Sequence, residues 1–221
     1  MFLPLFDSNP RNVVAPVTLT AIVGCMVVFA FQLLLAQQGT LDVFVLEYAF
    51  TPAAVGQRPP TEILGTALTS VFLHASLLHL AANLWFLFIF GPPVEHRLGS
   101  LKTLIIFLLG ALAAAFTQYI VSPDSTVPMI GASGAVAAIL GTYLMLFPFA
   151  MVVTLVPWII PLLPIPAFVF LILWFAFQFM MGVTQMMETD ITGGVAWWAH
   201  IGGFVAGVFL VILLPGDRRR R

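Results

Sequence analysis

Six stretches of this chain, at 16–36, 66–90, 101–121, 133–147, 166–181 and 197–214, are long, apolar and free of Asp and Glu. About 20 helical residues cross a hydrocarbon core of roughly 30 Å. In that medium every backbone N–H and C=O must find its partner inside the segment, so separated runs of this kind read as membrane helices. The composition agrees, since 61% hydrophobic and 8% charged residues fall far outside the range of a water-soluble domain. The expected fold is an all-α polytopic membrane protein, a bundle of six transmembrane helices in which residues 1–221 form a single domain and the lipid bilayer is the first partner. The opening residues lack the basic n-region of a secretory signal, and the first run is long enough to span, so it is expected to stay uncleaved as the first helix.

Residues 149–165 are apolar too, but Pro157, Pro161, Pro164 and Pro166 each remove a donor that lipid cannot replace. An interfacial loop is expected there. Charge placement supports this count, because cytoplasmic loops collect Lys and Arg. With six spans, Arg11, Arg97, Lys102 and the arginines at 218–221 share one side and only Arg58 lies across. Most acidic residues, Asp42, Glu47, Glu62, Asp124, Glu188 and Asp190, run the other way. A seventh span would carry the terminal arginines over. Both termini are therefore expected in the cytoplasm, and the compact plan suits a bacterial inner membrane. The net charge of -1 says nothing by itself about partners, and no nucleic-acid partner is expected. The single cysteine, Cys25, can build neither a disulfide framework nor a cysteine metal site, and no metal or cofactor is expected.

Polar residues inside spans are functional candidates, because charged types cost on the order of 2.5–3.5 kcal/mol there. His74, His79 and His200 fall within the predicted spans and His96 in a loop; Asn83 and Ser133 complete the set. Ser133 and His200 both stand near the starts of spans that enter from outside, so three distant helices converge on one layer. His79 and Asn83, four apart, share a helix face, whereas His74 points elsewhere. Small residues recur as Gly134, Ala138 and Gly141 on span four, and His200, Gly203 and Gly207 recur on span six. Such stripes let backbones approach closely. Packing them together would bring a hydroxyl and an imidazole within reach, as activation of a serine requires. Taken singly, each residue has a plainer reading: a membrane serine usually bonds its own helix, and His79 with Asn83 could be interhelical glue. His200 beside Trp197 and Trp198 could anchor an interface.

Three motifs carry a family resemblance. The first is His74-Ala-Ser-Leu-Leu-His79-Leu-Ala-Ala-Asn83, followed by Gly91-Pro-Pro-Val-Glu95-His-Arg97-Leu-Gly99-Ser100. The others are Gly131-Ala132-Ser133-Gly134 and Ala199-His200-Ile-Gly-Gly203-Phe-Val-Ala-Gly207. In this order they resemble the rhomboid intramembrane serine proteases, over all six spans. The resemblance implies that Ser133 is the nucleophile and His200 its base, a dyad without an acid. It implies oxyanion binding by His79, Asn83 and the Ser133 amide, with Gly131 and Gly134 supporting the nucleophile. His74 matches a motif histidine without a fixed role, and Glu95 with Arg97 would tie down the inner end of span two. Two departures stand out: Gly65-Thr66 occupies the place of a Trp-Arg pair common in the family, and Ala137 that of an aromatic packed on the catalytic histidine.

The expected activity is cleavage of transmembrane protein substrates near the external face through an acyl-enzyme, with 184–196 as a cap over the site. The alternatives are a rhomboid-like protein that binds helices without cutting them and, less well supported, a small transporter; the spans lack the acids of a coupled pathway. Substrate identity and oligomeric state are not written in the sequence.

Overall fold

A computed structural model describes residues 3–9, 14–156, 160–187 and 194–214. Its helices are α1 (Pro16–Gln37), α2 (Leu41–Tyr48), α3 (Pro60–Thr69), α4 (Leu77–Leu98), α5 (Ser100–Val121), α6 (Ser133–Leu146), α7 (Ala167–Met186) and α8 (Trp197–Leu213). Four of them, α1, α4, α5 and α7, have 20 to 22 residues and are long and apolar enough to cross a membrane, while α6 and α8 are apolar but shorter. Large apolar side chains such as Leu34, Phe88, Ile172 and Phe209 face outward. Water would penalise that surface and lipid does not. The protein is an integral, multi-pass membrane protein of mostly helical structure.

The second predicted span is corrected at both ends. Residues 66–90 are not one helix: α3 ends at Thr69, a 3-10 turn at Ser70–Phe72 and a short non-helical stretch follow, and α4 begins at Leu77. The break is fixed by Ser76, whose hydroxyl accepts the His79 N–H at 3.1 Å and so starts a new helix. His74 consequently precedes the span. At the other end Pro92 and Pro93 lie inside α4, which runs on to Leu98 and takes His96 into its last turn. A proline in a helix forfeits one backbone bond, and here a buried carboxylate offsets the loss. Glu95 accepts the N–H groups of Val17 and Thr18 and the Thr18 hydroxyl, each at 2.9 Å. It thereby caps the N-terminus of α1, whose first N–H groups have no intrahelical acceptor.

The proline-rich segment is also corrected. Instead of a loop it forms strands β2 (Met151–Val156) and β3 (Ile160–Pro166), and β1 (Leu3–Asp7) adds to them in the order β1-β2-β3. The prolines of the sheet lie in β1 (Pro4) and β3, its two edge strands, where a missing N–H on the open side costs no ladder bond. Pro157 lies outside the described residues. The sheet is pinned to the bundle by the buried Asp7, which accepts the Tyr143 hydroxyl at 2.5 Å and the Asn9 amide at 2.6 Å. Arg11 and the arginines at 218–221, on which the orientation argument leans, are also outside the described residues.

The segment between α1 and α4 is anchored without a Trp-Arg pair. Thr69 donates its hydroxyl to the Tyr48 carbonyl at 2.7 Å, Met129 N–H bonds Phe50 O at 2.7 Å, and Ala53 N–H bonds Ser125 O at 3.0 Å. These bonds tie it to the connection that leads into α6.

Candidate active site

α6 is the central helix, with every residue from Gly134 to Tyr143 buried. Ser133 is its first residue and is half-buried. Its amide is among the first-turn N–H groups that no helix carbonyl can reach, at the positive end of the helix dipole. The turn into α6 depends on Gly131. That residue has φ +117°, a conformation side chains rarely adopt, and donates its N–H to Ser70 O at 2.9 Å. A Cβ there would lie 2.7 Å from the His79 ring and 3.6 Å from the Asn83 amide nitrogen. The glycine is thus required both by its backbone angle and by the imidazole lying on it.

His79 and Asn83 occupy successive turns on one face of α4 and both reach the segment that delivers Ser133. Asn83 is buried and gives one amide hydrogen to His79 O at 3.0 Å. Its second hydrogen is available to a ligand. His74, 1% exposed, is locked by a two-way clamp: its N–H donates to Gln32 Oε1 at 2.9 Å and its carbonyl accepts from Gln32 Nε2 at 3.2 Å. Its ring meets the His79 ring edge-on at 5.2 Å. His74 therefore sets the wall against which His79 stands.

α6 and α8 pack backbone to backbone. The Cα of Gly203 rests on the Gly134 carbonyl, that of Gly207 on the Ala138 carbonyl, and that of Gly141 on the Phe204 carbonyl. Thr142 adds a hydroxyl bond to Gly207 O at 3.1 Å. Gly134 also accommodates Ala114 of α5, whose methyl group would collide with any side chain at that position. One turn before Gly203 on the same face stands His200, near the start of α6. It lies within Coulombic range of His79. Among the described residues no hydrogen bond joins Ser133 to His200. The ring bond that His200 makes runs from Nδ1 to Gln178 Oε1 of α7, at 2.7 Å, and its Nε2 is the nitrogen left for a serine. The ring is stacked on Trp174 at 6.2 Å with an interplanar angle of 26°, and Trp197 meets it edge-on at 6.1 Å.

Gln178 and Trp174 were missed from the sequence. The available signal was a lone amide in the middle of an apolar run, the same signal that singled out Asn83. Beside Ser133 a cavity of about 10 Å³ for the centre of a water molecule is walled by small groups, among them Ala67, Ser70, Ala111, Ala114 and Ala199. That is the space of a single water. Among the described residues no cluster of His, Cys, Asp or Glu could hold a metal ion. The expected cap at 184–196 has its centre, 188–193, outside the described residues.

A family model described as the Rhomboid domain matches residues 62–216. Among curated relatives, the chain is 32% identical over 137 residues to "Rhomboid protease GlpG" of Salmonella typhi, covering 62% of this chain and 45% of that protein. It is 26% identical over 163 residues to the human "Presenilin-associated rhomboid-like protein, mitochondrial", covering 70% and 39% respectively. It is 32% identical over 82 residues to "Putative rhomboid protease YdcA" of Bacillus subtilis, covering 37% and 41%. The matched part spans less than half the length of each of these relatives.

Proposed function

The chain belongs to the rhomboid family, and on that premise we propose that it is an intramembrane serine endopeptidase acting on transmembrane protein substrates. In this reading all six apolar helices cross the bilayer, residues 1–221 act as one domain, and both termini are cytoplasmic in a bacterial-type inner membrane. The observation that carries the proposal is the glycine-to-carbonyl packing of α6 on α8, which sets His200 over the end of α6 at which Ser133 stands.

His200 Nε2 takes the Ser133 proton as the serine oxygen attacks a peptide carbonyl. The tetrahedral adduct collapses as the peptide C–N bond breaks and the His200 imidazolium gives its proton to the leaving amine, and the acyl-enzyme so formed is then hydrolysed by water, with the regenerated neutral imidazole as base. Each step passes through an oxyanion. The Ser133 amide at the helix terminus, the free Asn83 hydrogen and the His79 ring are its donors. At 1.5 Å per residue α6 is about 21 Å long, well short of a bilayer core of roughly 30 Å. Its first residue is then sunk below the external surface, where a substrate helix can be met near its outer end. The cavity beside Ser133, with room for about one water, favours a small residue before the cleaved bond.

A fluorophosphonate probe tests the reading. It should label the folded protein at one serine, and labelling should vanish in Ser133→Ala. Persistent silence of correctly folded protein would favour the rival, a helix-binding relative without catalysis, to which the absence of a Ser133–His200 hydrogen bond lends some support. Asn83→Ala should slow cleavage of a tagged single-span substrate by roughly 100-fold, since one oxyanion donor contributes about 2.7–4 kcal/mol. A rate within twofold of wild type would remove Asn83 from the oxyanion site.

A further inference from the structure

We infer that Gln178 is a positioning residue for His200: with Trp174 it makes α7 the element that fixes the imidazole's tautomer and plane. The inference rests on the protease reading and adds to it a third group, a neutral amide where other serine hydrolases use an acid.

Trp174, Gln178 and Gly182 are spaced by four on α7 and so form one stripe. All three face α8: Trp174 stacks on His200, Gln178 bonds it, and a Cβ on Gly182 would meet the Trp198 ring at 3.1 Å. Gln178 is only 4% exposed. A buried amide without a partner is costly, so its position is explained by the 2.7 Å contact to Nδ1. The amide oxygen has no proton to give. Nδ1 must therefore carry one, and the neutral ring then has its lone pair on Nε2, the form a general base needs. Stacking on Trp174 holds the ring's plane and the Gln178 bond its rotation about that plane. Ala137 explains why these groups are needed, since a methyl side chain on α6 offers the ring no stacking surface. Among the described residues the titratable group that faces His200 from another element is His79 of α4; the parts of α5, α6 and α7 packed against this end of α8 present only neutral side chains to it.

The test compares Gln178→Leu and Gln178→Glu with wild type in cleavage of a tagged single-span substrate across pH, with Ser133→Ala as the blank. Gln178→Leu should lower kcat roughly 10- to 100-fold with KM within about twofold, because chemistry and not substrate binding loses its support. Its acidic limb should move to lower pH, as the imidazolium has lost an acceptor. Gln178→Glu should retain activity and move the acidic limb to higher pH by about a unit or more, since a carboxylate favours the imidazolium. His79 is common to all variants and leaves these differences untouched. Nitrogen-15 spectra of the wild-type protein give a readout independent of any variant: at neutral pH Nδ1 of His200 should carry the proton. A proton on Nε2, or two variants with the wild-type limb and kcat, overturns the inference while the protease reading stands. A wild-type chain without Ser133-dependent cleavage overturns that reading, and the positioning role with it.

Discussion

Ser133→Ala is expected to reduce cleavage of a tagged single-span substrate in liposomes to the uncatalysed background, and His200→Ala to slow it by about 10³-fold or more. The two losses differ because the two groups do different work. Without the hydroxyl no acyl-enzyme can form, and what remains is binding and an oxyanion site with nothing to stabilise. Without the imidazole the hydroxyl is still present but is a weak nucleophile at neutral pH, and a positioned base is typically responsible for 10²–10⁴ in rate. The double variant should be no slower than Ser133→Ala alone, because groups that act as a unit are not additive. Stability should separate the pair in the opposite order. Ser133 is half-buried at a helix start, and among the described residues its side chain makes no bond that its loss would break, so its alanine variant should unfold within a degree or two of wild type. Removing His200 orphans the buried Gln178 oxygen and uncovers Trp174, a change on the order of 1–3 kcal/mol. Cleavage of the same bond by Ser133→Ala would end the dyad assignment.

The apolar runs and the intramembrane polar residues were legible in the sequence because both follow from local rules. A run of 20 apolar residues can do little except cross a bilayer, and five of the six helices begin or end within a few residues of where hydropathy puts them. α4 was misplaced because hydropathy cannot see a cap or a tertiary bond. Ser76 divides an unbroken apolar stretch by accepting one N–H, and the helix passes Pro92 and Pro93 while Glu95, seventy-seven residues from Thr18, ties it to α1. The strands were hidden for a similar reason: an edge strand tolerates prolines that would disqualify a span, and the central strand 151–156 is completed on its other side by residues 3–7, far away in sequence. At the site, Gly131 was marked by its motif, yet its positive φ and the His79 ring lying against it belong to three dimensions. Gln178 was open to the argument that found Asn83, since an amide in an apolar helix demands a partner. Its partner sits on another helix, and no spacing rule points to it.

Gly203→Ala is expected to be among the most damaging small substitutions away from the chemistry. The added methyl would fall on the carbonyl oxygen of Gly134, 2.9 Å from its carbon and 3.3 Å from its Cα, and all three are backbone atoms of the central helix that cannot rotate aside. α8 has to move off α6. Overpacking of this kind costs typically 1–3 kcal/mol and sometimes more, and here the displaced helix carries His200. A misplacement of about 1 Å at a reacting pair can cost 10²-fold in rate, so the variant should lose both melting temperature in detergent and at least that factor in kcat. Gly65→Ala is the matched control. It adds the same methyl to α3, at an exposed position with no heavy atom within 4 Å, and replacing a helical glycine by alanine should stabilise by up to about 1 kcal/mol without touching the rate. If Gly203→Ala melted and cut like Gly65→Ala, the close contact of α6 with α8 could not be what holds the serine and the histidine together.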